Sequence, residues 1–225
     1  MAYGLRIRNA DGQIQIDDQW ATLRFREKGS LSITSNLNST GYATLADPPT
    51  PRQAPLFAVR STAMHMVAHT PIANVTSLSD IDLDEPLTEL RVCKWSGSGT
   101  AHAVDWICVD AVPVAATSDT YGFRVKNADG DIVFDSRQKL VLVRDVIMVG
   151  TVAGTSSRTF SHAACRGTAY YASGLRQAFS GVVGIEPVLY CKALTADSVE
   201  VNMLGQNQPS WDPPAVPLIV LDVFD

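Results

Sequence analysis

The sequence predicts an all-β protein made of two related antiparallel β-sandwich-like halves that arise from an internal duplication. Two observations lead to this fold class. Most segments between turn-forming residues are short and alternate polar with apolar side chains, and one segment of fifteen residues occurs twice. Helix patterns are scarce, since only 83–88 and 174–179 have room for a turn or two. The chain of 225 residues, 46% of them apolar, is long enough for one large β domain or two domains of about 100 residues.

The repeated segment opens both halves. Residues 3–17 have the sequence YGLRIRNADGQIQID, and residues 121–135 have YGFRVKNADGDIVFD. Nine of the fifteen positions are identical at an offset of 118 (121 − 3). A second correspondence closes each half, because ICVDAV at 107–112 resembles IVLDVF at 219–224. These matches predict a duplication with a period near half the chain.

The polar stretch at 117–120 lies directly before the second copy and predicts the boundary between the halves. We therefore expect an N-terminal β domain over 1–118 and a C-terminal β domain over 119–225. The alternative is one fused sandwich in which each half lends strands to the other.

Each copy of the repeated segment has the pattern of a β-hairpin. Leu5 and Ile7 alternate with Arg6 and Arg8, which is the period of a strand with one buried face. The tetrapeptide Asn-Ala-Asp-Gly supplies turn-forming residues, and its glycine, Gly130 in the second copy, is free to adopt the positive φ of a short hairpin loop.

The other strand predictions rest on short runs of alternating or β-branched residues. These runs lie at 21–26, 31–34, 140–143 and 146–149. Two segments rich in proline, 47–55 and 208–217, predict loops.

A further hairpin is predicted between the segments that carry Cys93 and Cys108. Pairing these two cysteines also pairs Trp95 with Trp106, because both index sums are 201 (93 + 108, 95 + 106). In that register all four side chains share one face of an antiparallel pair. We interpret this face as part of a core or an interface. A cross-strand disulfide or an aromatic platform for a sugar is the alternative.

Charge and cysteine content narrow the function classes. The net charge is −5 and no run is rich in lysine or arginine, so we expect no nucleic-acid partner. No stretch of 18 apolar residues is present, so we expect no membrane insertion. The first residues lack the apolar block of a signal peptide, and the four cysteines are widely spaced. Both features favour a protein that folds where it is made, with reduced, buried thiols.

Motifs for metal binding are weak. His65 and His69 have the spacing of a helical metal site, but their neighbours favour strand or loop, and no glutamate follows the first histidine. The segment 127–131 suggests a calcium loop, but its glycine is misplaced and a hairpin turn explains every residue. We predict no metal and no cofactor.

Motifs for catalysis are equally weak. No Gly-x-Ser-x-Gly elbow and no phosphate-binding loop occurs. The two carboxylates of a glycosidase are brought together by folding, so they need no fixed spacing in the sequence. The candidates Asp105 and Asp110 lie on predicted strands, where we expect a single aspartate to face solvent. We predict that the protein is not an enzyme.

The second copy of the repeated segment, extended through Phe134-Asp135-Ser136-Arg137, resembles a pattern in small tail-tip and minor tail proteins of long-tailed bacteriophages. Those proteins often begin with a Tyr-Gly-Leu strand, followed by Asn-x-x-Gly and Phe-Asp-Ser. The first copy departs from the pattern, since Ile16-Asp17-Asp18 replaces Phe-Asp-Ser. The matched segments cover about thirty residues of the chain.

The resemblance implies a structural protein of the virion, located in the tail tip or baseplate and assembled in the host cytoplasm. It implies other tail-tip proteins as partners and a homo-oligomer around the tail axis, with a trimer preferred. The apolar segment 218–224 is a candidate for subunit contacts, although a core strand explains it equally well.

Two functional classes follow for the surface residues. In the preferred class the basic side chains of the repeated segment dock onto neighbouring tail proteins, and these are Arg6, Arg8, Arg124 and Lys126. In the alternative class aromatic and histidine side chains at loop edges bind a host glycan or pilus. The candidates there are Trp95, His102, Trp211 and Tyr170-Tyr171. A tail-associated glycan hydrolase is a third class.

Overall fold

The computed structural model describes most of the chain in fifteen ranges. These are residues 6–8, 14–17, 23–33, 40–50, 55–62, 65–66, 86–93, 101–110, 122–130, 132–137, 139, 141–149, 157–173, 188–204 and 216–224. Backbone alone is described for 6–8, 14–17, 40, 65–66, 91, 93, 173, 188–190, 202–204 and 216. Sixteen β-strands and no helix occur in these ranges, which confirms the all-β prediction. Within the same ranges no helix is long and apolar enough to cross a membrane.

The sixteen strands are numbered in chain order. They are β1 (Arg6–Arg8), β2 (Ile14–Asp17), β3 (Arg24–Ile33), β4 (Thr40–Thr44), β5 (Leu56–Arg60), β6 (His65–Met66), β7 (Glu89–Cys93), β8 (His102–Asp110), β9 (Arg124–Lys126), β10 (Ile132–Asp135), β11 (Val141–Val149), β12 (Ser157–Ser161), β13 (Thr168–Ser173), β14 (Val188–Thr195), β15 (Ser198–Leu204) and β16 (Val216–Val223).

Six strands form the longest sheet, in the order β11-β16-β13-β5-β8-β3, and each neighbouring pair is antiparallel. Three of these strands come from residues before 119 and three from residues after it. The two groups join where Tyr171 of β13 lies opposite Val59 of β5. Strands from both halves therefore share one sheet, whereas the division of the chain into domains at 118/119 stays a prediction.

The second layer contains a four-stranded sheet, β12-β15-β14-β6, and a two-stranded sheet, β4-β7. The halves meet here too, since Cys191 of β14 lies opposite His65 of β6. Ser61, directly after β5, ties the two layers together. Its carbonyl accepts the N–H of Ala193 at 2.9 Å, and its hydroxyl donates to the carbonyl of Ala103 at 3.0 Å.

Two apolar cores fill the space between the layers. Alternate residues of a strand face opposite sides of a sheet, and the inward positions of the six-stranded sheet supply most residues of each core. One core comprises Leu31, Ile33, Leu45, Phe57, Val59, Leu90, Val92, Val104, Trp106 and Cys108. The other comprises Val149, Cys165, Ala169, Tyr171, Cys191, Val199, Val201, Leu218 and Val220.

A third apolar cluster lies on the outer face of the six-stranded sheet. Its buried members are Ala58, Ile107, Val109, Val141, Tyr170, Ala172, Leu221 and Val223. Phe25 of β3 packs against the same cluster as Val141 of β11, although these strands form opposite edges of the sheet, and the Lys139 ammonium lies 5.2 Å from the centre of the Phe25 ring. The sheet therefore curls, as the right-handed twist of strands promotes, until two of its corners approach each other.

Both copies of the repeated segment form antiparallel hairpins, as the sequence predicted. The backbone registers agree at the offset of 118, since Arg6 lies opposite Asp17 and Arg124 opposite Asp135. A register shift follows at the same place in each hairpin. In the second copy Gly130 has φ of 91°, the positive value that the sequence predicted for the hairpin turn.

The edge strands β3 and β11 also carry equivalent irregularities. The pairing of β3 with β8 skips Arg26, and the pairing of β11 with β16 skips Arg144, which is 118 residues later. Such a bulge leaves one extra residue on the edge strand and turns its side chain away from the regular alternation.

The predicted hairpin between the Cys93 and Cys108 segments is wrong. β7 pairs with β4, so Cys93 lies opposite Thr40, whereas β8 lies between β3 and β5 in the other layer. Both segments are apolar because they face the same core from opposite layers. A shared core and a shared ladder give similar alternation in sequence, and only the tertiary pairing separates them.

Two smaller predictions fall only partly within the described residues. His65 lies on strand β6, as the neighbouring residues indicated, while His69 lies outside the described residues. Residues 86–88 are not helical, and the rest of the two weak helix patterns, 83–85 and 174–179, lies outside the described residues.

Candidate functional site

The most concentrated group of charges among the described side chains surrounds Asp110, at the end of strand β8. Its carboxylate is fully buried and binds two guanidinium groups from β3. Arg24 donates from Nε to Oδ1 at 2.9 Å and from Nη2 to Oδ2 at 2.8 Å, and Arg26 donates from Nη1 to Oδ2 at 2.6 Å. Burial raises the pKa of Asp110, but the hydrogen bonds from both arginines outweigh it and hold the pKa below its ordinary value.

This arrangement corrects the expectation that Asp110 faces solvent. Asp110 is 1% exposed. A buried carboxylate is stable only when it is paired, and the two arginines that pair it lie on the neighbouring strand, 84 and 86 residues earlier in the sequence. No local spacing connects these residues, which is why the sequence did not reveal the cluster.

Arg26 links the buried carboxylate to the loop that follows β4. Its Nη2 donates to the Asp47 carboxylate at 2.8 Å, and its Nε donates to the Asp47 carbonyl at 2.6 Å. The next residue, Glu27, accepts the N–H of Ala46 at 3.1 Å. The bulge at Arg26 therefore holds this loop through both a basic and an acidic side chain.

In the second half, a basic and an acidic side chain of β11 hold the loop at 163–164 in the same way. Arg144 donates from Nε to the carbonyl of Ala164 at 2.9 Å, and Asp145 accepts the N–H of Ala163 at 3.2 Å. The buried aspartate differs, however. Asp222 takes the place of Asp110 but accepts two backbone N–H groups, from Arg166 at 3.0 Å and Gly167 at 2.8 Å. The contacts of Arg144, Asp145 and Asp222 therefore restrain backbone, and Asp222 is as deeply buried as Asp110, at 1% exposed.

Asp135 of the motif hairpin is buried and bound on both sides. Arg124 donates to it from the paired strand at 2.9 Å, and Arg137 donates from its backbone N–H at 3.0 Å, from Nε at 2.8 Å and from Nη2. The Arg137 hydrogen bond is the main reason that the pKa of Asp135 is well below its ordinary value. Ser136 closes the hairpin, since its hydroxyl accepts the Phe123 N–H at 2.8 Å and its N–H donates to the Phe123 carbonyl at 2.9 Å.

The described thiols are poorly suited to nucleophilic chemistry. Burial raises the pKa of Cys108 to about 12 and that of Cys165 to about 11, and it also raises the pKa of Cys191. A thiol with so high a pKa forms almost no thiolate near neutral pH. These side chains act as small apolar core residues.

A histidine and a tyrosine meet inside the C-terminal core. His162 Nε2 lies 3.1 Å from the Tyr171 hydroxyl, and its Nδ1 lies 3.0 Å from the carbonyl of Ala163. The Tyr171 hydroxyl donates to the carbonyl of Ser198 at 3.5 Å, and burial raises the tyrosine pKa. Both rings therefore have polar partners within the core, and the Tyr171 hydroxyl connects β13 to the first residue of β15.

The structure describes the side chains of only some of the predicted contact residues. Lys126 is exposed on β9, and Arg124 is partly exposed while it binds Asp135. His102 is half-buried on β8. The side chains of Arg6 and Arg8 and the whole of Trp95 and Trp211 lie outside the described residues.

Tyr170 and Tyr171 do not lie at a loop edge. They belong to β13 in the middle of the six-stranded sheet and are 6% and 0% exposed, so neither can contact a receptor. Tyr171 is buried in the core between the layers, and Tyr170 is buried in the apolar cluster on the outer face of the sheet. The sequence did not show this, because tyrosine occurs in strand interiors and at binding surfaces alike.

The edge strand β11 carries more exposed large apolar side chains than any other described strand. Val143, Val146 and Met148 are 52%, 49% and 57% exposed, and all three lie on the outer face of the sheet. The charges beside them are already bound to the 163–164 loop through Arg144 and Asp145. Exposed apolar side chains on a sheet edge are typical of strand pairing with another chain.

Compared with known proteins, the chain matches no family model, no curated protein and no solved structure. Within the described part of the chain, no three histidine, cysteine, aspartate or glutamate side chains are grouped as metal ligands.

Proposed function

We propose that this chain is a structural, non-enzymatic component of a bacteriophage tail tip or baseplate, which forms a symmetric oligomer and docks onto other tail proteins. The observation that carries the proposal is the motif hairpin over 122–137. Its sequence resembles the tail-protein pattern, and the motif residues Asp135, Ser136 and Arg137 are the ones that close the hairpin.

A closed hairpin of this kind suits docking. One carboxylate and two guanidinium groups are paired within it, so contacts inside the chain itself hold its shape. The exposed side chains of the hairpin include Lys126 and Phe123, and Phe123 is 49% exposed. An exposed basic side chain offers electrostatic steering to a neighbouring protein, and an exposed aromatic ring offers apolar contact.

The burial of the described titratable groups also supports a structural role for the protein. Asp110, Asp135 and Asp222 each bind arginines or backbone N–H groups of their own chain, and the described thiols have raised pKa values. Each group restrains a loop or fills a core. This use of charge stabilises a rigid, two-layer protein.

The proposal includes the internal duplication. It is supported by the equal registers of the two hairpins, the bulges at Arg26 and Arg144, and the loop contacts that these arginines make at matching positions. The six-stranded sheet has the same order when it is followed inward from either edge. From one edge the order is β3, β8, β5, and from the other edge it is β11, β16, β13, which are the matching strands of the second half.

The test is the place of the protein in an intact phage particle. Gold-labelled antibody against the purified protein is expected to mark the tail tip in electron micrographs of the phage that carries the gene. Labelling of the head, or of no part of the particle, would overturn the proposal. Block of host adsorption by the purified protein would instead favour the receptor-binding alternative, and release of sugar from the host envelope would favour a hydrolase.

A matched pair of variants tests the docking surface. Lys126→Glu reverses an exposed charge on the motif hairpin, and Arg158→Glu reverses an exposed charge on β12, away from the hairpin. We expect the first variant to be lost from purified particles and the second to be retained. Equal incorporation of both variants would show that the hairpin does not dock.

A further inference from the structure

We infer that the two halves of this chain associate as the subunits of a two-fold dimer do, through an interface centred between Ala58 of β5 and Ala172 of β13. This interface, and not the connection along the chain, keeps the halves together. The inference uses the internal duplication but not the tail-tip role, so it succeeds or fails independently of where the protein is located.

The strands that flank β5 and β13 show which of their residues are equivalent. The correspondence that closes each half makes Ile107 of β8 equivalent to Ile219 of β16 (219 − 107 = 112). Ile107 lies opposite Ala58 of β5, and Ile219 lies opposite Ala172 of β13. Ala58 and Ala172 therefore occupy equivalent positions in the two halves.

The pairing of β5 with β13 is symmetric about these two alanines. Val59 lies opposite Tyr171, and their residue numbers sum to 230 (59 + 171). Continued in the same antiparallel register, the ladder sets Ala58 opposite Ala172, which gives the same sum (58 + 172). Equivalent residues that lie opposite each other in an antiparallel ladder mark a two-fold axis, as they do in an isologous dimer interface.

The apolar clusters follow the same symmetry. One core between the layers contains only residues from 31 to 108, and the other contains only residues from 149 to 220, so each half has its own core. The cluster on the outer face of the six-stranded sheet is instead shared, because both halves contribute to it. Burial of this shared cluster favours association, since it removes apolar surface of both halves from water. Eight of its residues form equivalent pairs, and these are Ala58 with Ala172, Ile107 with Ile219, Val109 with Leu221, and Leu56 with Tyr170.

Contacts between the halves continue in the second layer. Cys191 of β14 lies opposite His65 of β6, and Ala193 donates its N–H to the Ser61 carbonyl at 2.9 Å. The connection between the halves, 111–121, lies outside the described residues. The contacts that the structure does describe, a strand pair in each layer and a shared apolar cluster, are of the kind that holds obligate dimers together.

Cleavage of the connection in the folded protein tests the inference. A recognition sequence for a site-specific protease, flanked by glycine and serine, is inserted between Ser118 and Asp119 of the full chain. We expect the cleaved protein to keep the mass and the far-ultraviolet circular dichroism spectrum of the uncleaved protein, and to separate into two fragments only in denaturant. Light scattering measures the mass. Separation of the fragments in native buffer overturns the inference.

Three alanine substitutions in the cleavable protein locate the interface. Ala172→Asp places a carboxylate in the shared cluster, whereas the control Ala128→Asp places one in the exposed turn of the motif hairpin. After cleavage, we expect the halves of the first variant to separate and those of the control to stay together. Ala58→Asp should act like Ala172→Asp, because the two positions are equivalent. Cleaved halves that stay together in both of these variants would show that the interface is not centred at the alanines.

A disulfide tests the position of the axis. Residues directly opposite in an antiparallel pair have Cα atoms about 4.5–5.5 Å apart, within the range of a disulfide, whereas residues displaced by two positions lie beyond the limit of about 7 Å. Oxidation during refolding should therefore link the halves in Ala58→Cys/Ala172→Cys and not in Leu56→Cys/Ala172→Cys. After cleavage, a non-reducing gel shows the link as one band at the mass of the whole chain.

The outcome of the disulfide test is decisive for the register. No link in Ala58→Cys/Ala172→Cys, or a link in Leu56→Cys/Ala172→Cys, overturns the assigned axis. Both experiments use the purified chain alone, so their failure leaves the tail-tip proposal untouched. Conversely, the location of the protein in a phage particle does not affect either result.

Discussion

Replacing Asp110 by asparagine tests the account of the buried charge cluster. The change keeps the shape of the side chain but removes the charge that three hydrogen bonds from Arg24 and Arg26 satisfy. Hydrogen bonds to charged groups are each worth about 1.5–3 kcal/mol, and breaking a buried ion pair costs about 3–5 kcal/mol. Asparagine keeps one acceptor oxygen and Arg24 is partly exposed, so we expect a loss of about 3 kcal/mol in the free energy of unfolding.

Urea unfolding at pH 7, followed by circular dichroism, measures this loss. For a chain of this size it corresponds to a fall of roughly 6–12 °C in the unfolding temperature. The control is Asp129→Asn, in the exposed turn of the motif hairpin, for which we expect a change within about 0.5 kcal/mol. A loss below about 1 kcal/mol for Asp110→Asn would refute the reasoning, since the pair would then contribute no more than a surface salt bridge.

The pH dependence provides an independent check on the same residue. The folded pKa of Asp110 lies below its ordinary value of 3.8, so its contribution to stability is complete above pH 3.8 and is lost as the pH falls toward the folded value. The asparagine variant has no such group. The difference in stability between the two proteins should therefore shrink below pH 3.8, and a difference that stays constant there would contradict the assigned pKa direction.

Three further predictions follow from named contacts. Gly167→Ala should lower the free energy of unfolding by about 2 kcal/mol or more, because an added Cβ would lie 2.1 Å from the Val223 carbonyl oxygen; a neutral result in thermal unfolding would show that the contact is easily relieved. A Cys93→Ser variant should show no thiol that reacts within minutes with an aromatic disulfide at pH 8, because the other three are buried; a fast reaction would contradict their raised pKa values. Asp135→Ala should increase amide hydrogen exchange in the motif hairpin far more than in β13, because two arginines lose their shared partner; uniform exchange would refute a local role.

The local elements of this fold were accessible from the sequence because short-range chemistry decides them. The hairpin of the second copy is an example, since Asn127 and Gly130 meet the requirements of the turn whatever surrounds them. Gly130 donates to the Asn127 carbonyl at 3.1 Å, and the Asn127 side chain accepts the Asp129 N–H at 3.1 Å. Partners two and three residues apart leave a signal that a sequence pattern records.

The pairing of distant strands was not accessible in the same way. Cys93 and Cys108 occur in segments with matching alternation, yet their strands lie in different layers around one core. The charge cluster at Asp110 could not be predicted for the same reason, because the pairing of β3 with β8 brings its arginines to it. A sequence states which side chains are apolar or charged, but it does not state which strand each one faces.

By itself the sequence determined that the protein is built of β-strands, that two segments form equivalent hairpins, and that Gly130 lies in a turn. These properties depend on residues close together in the chain. The tertiary structure decided that strands of both halves share one sheet, that Asp110 is buried between two arginines, and that β11 is left as an apolar edge. Those properties depend on which surfaces meet, because burial and the pairing of charges are settled by contacts between residues far apart in the chain.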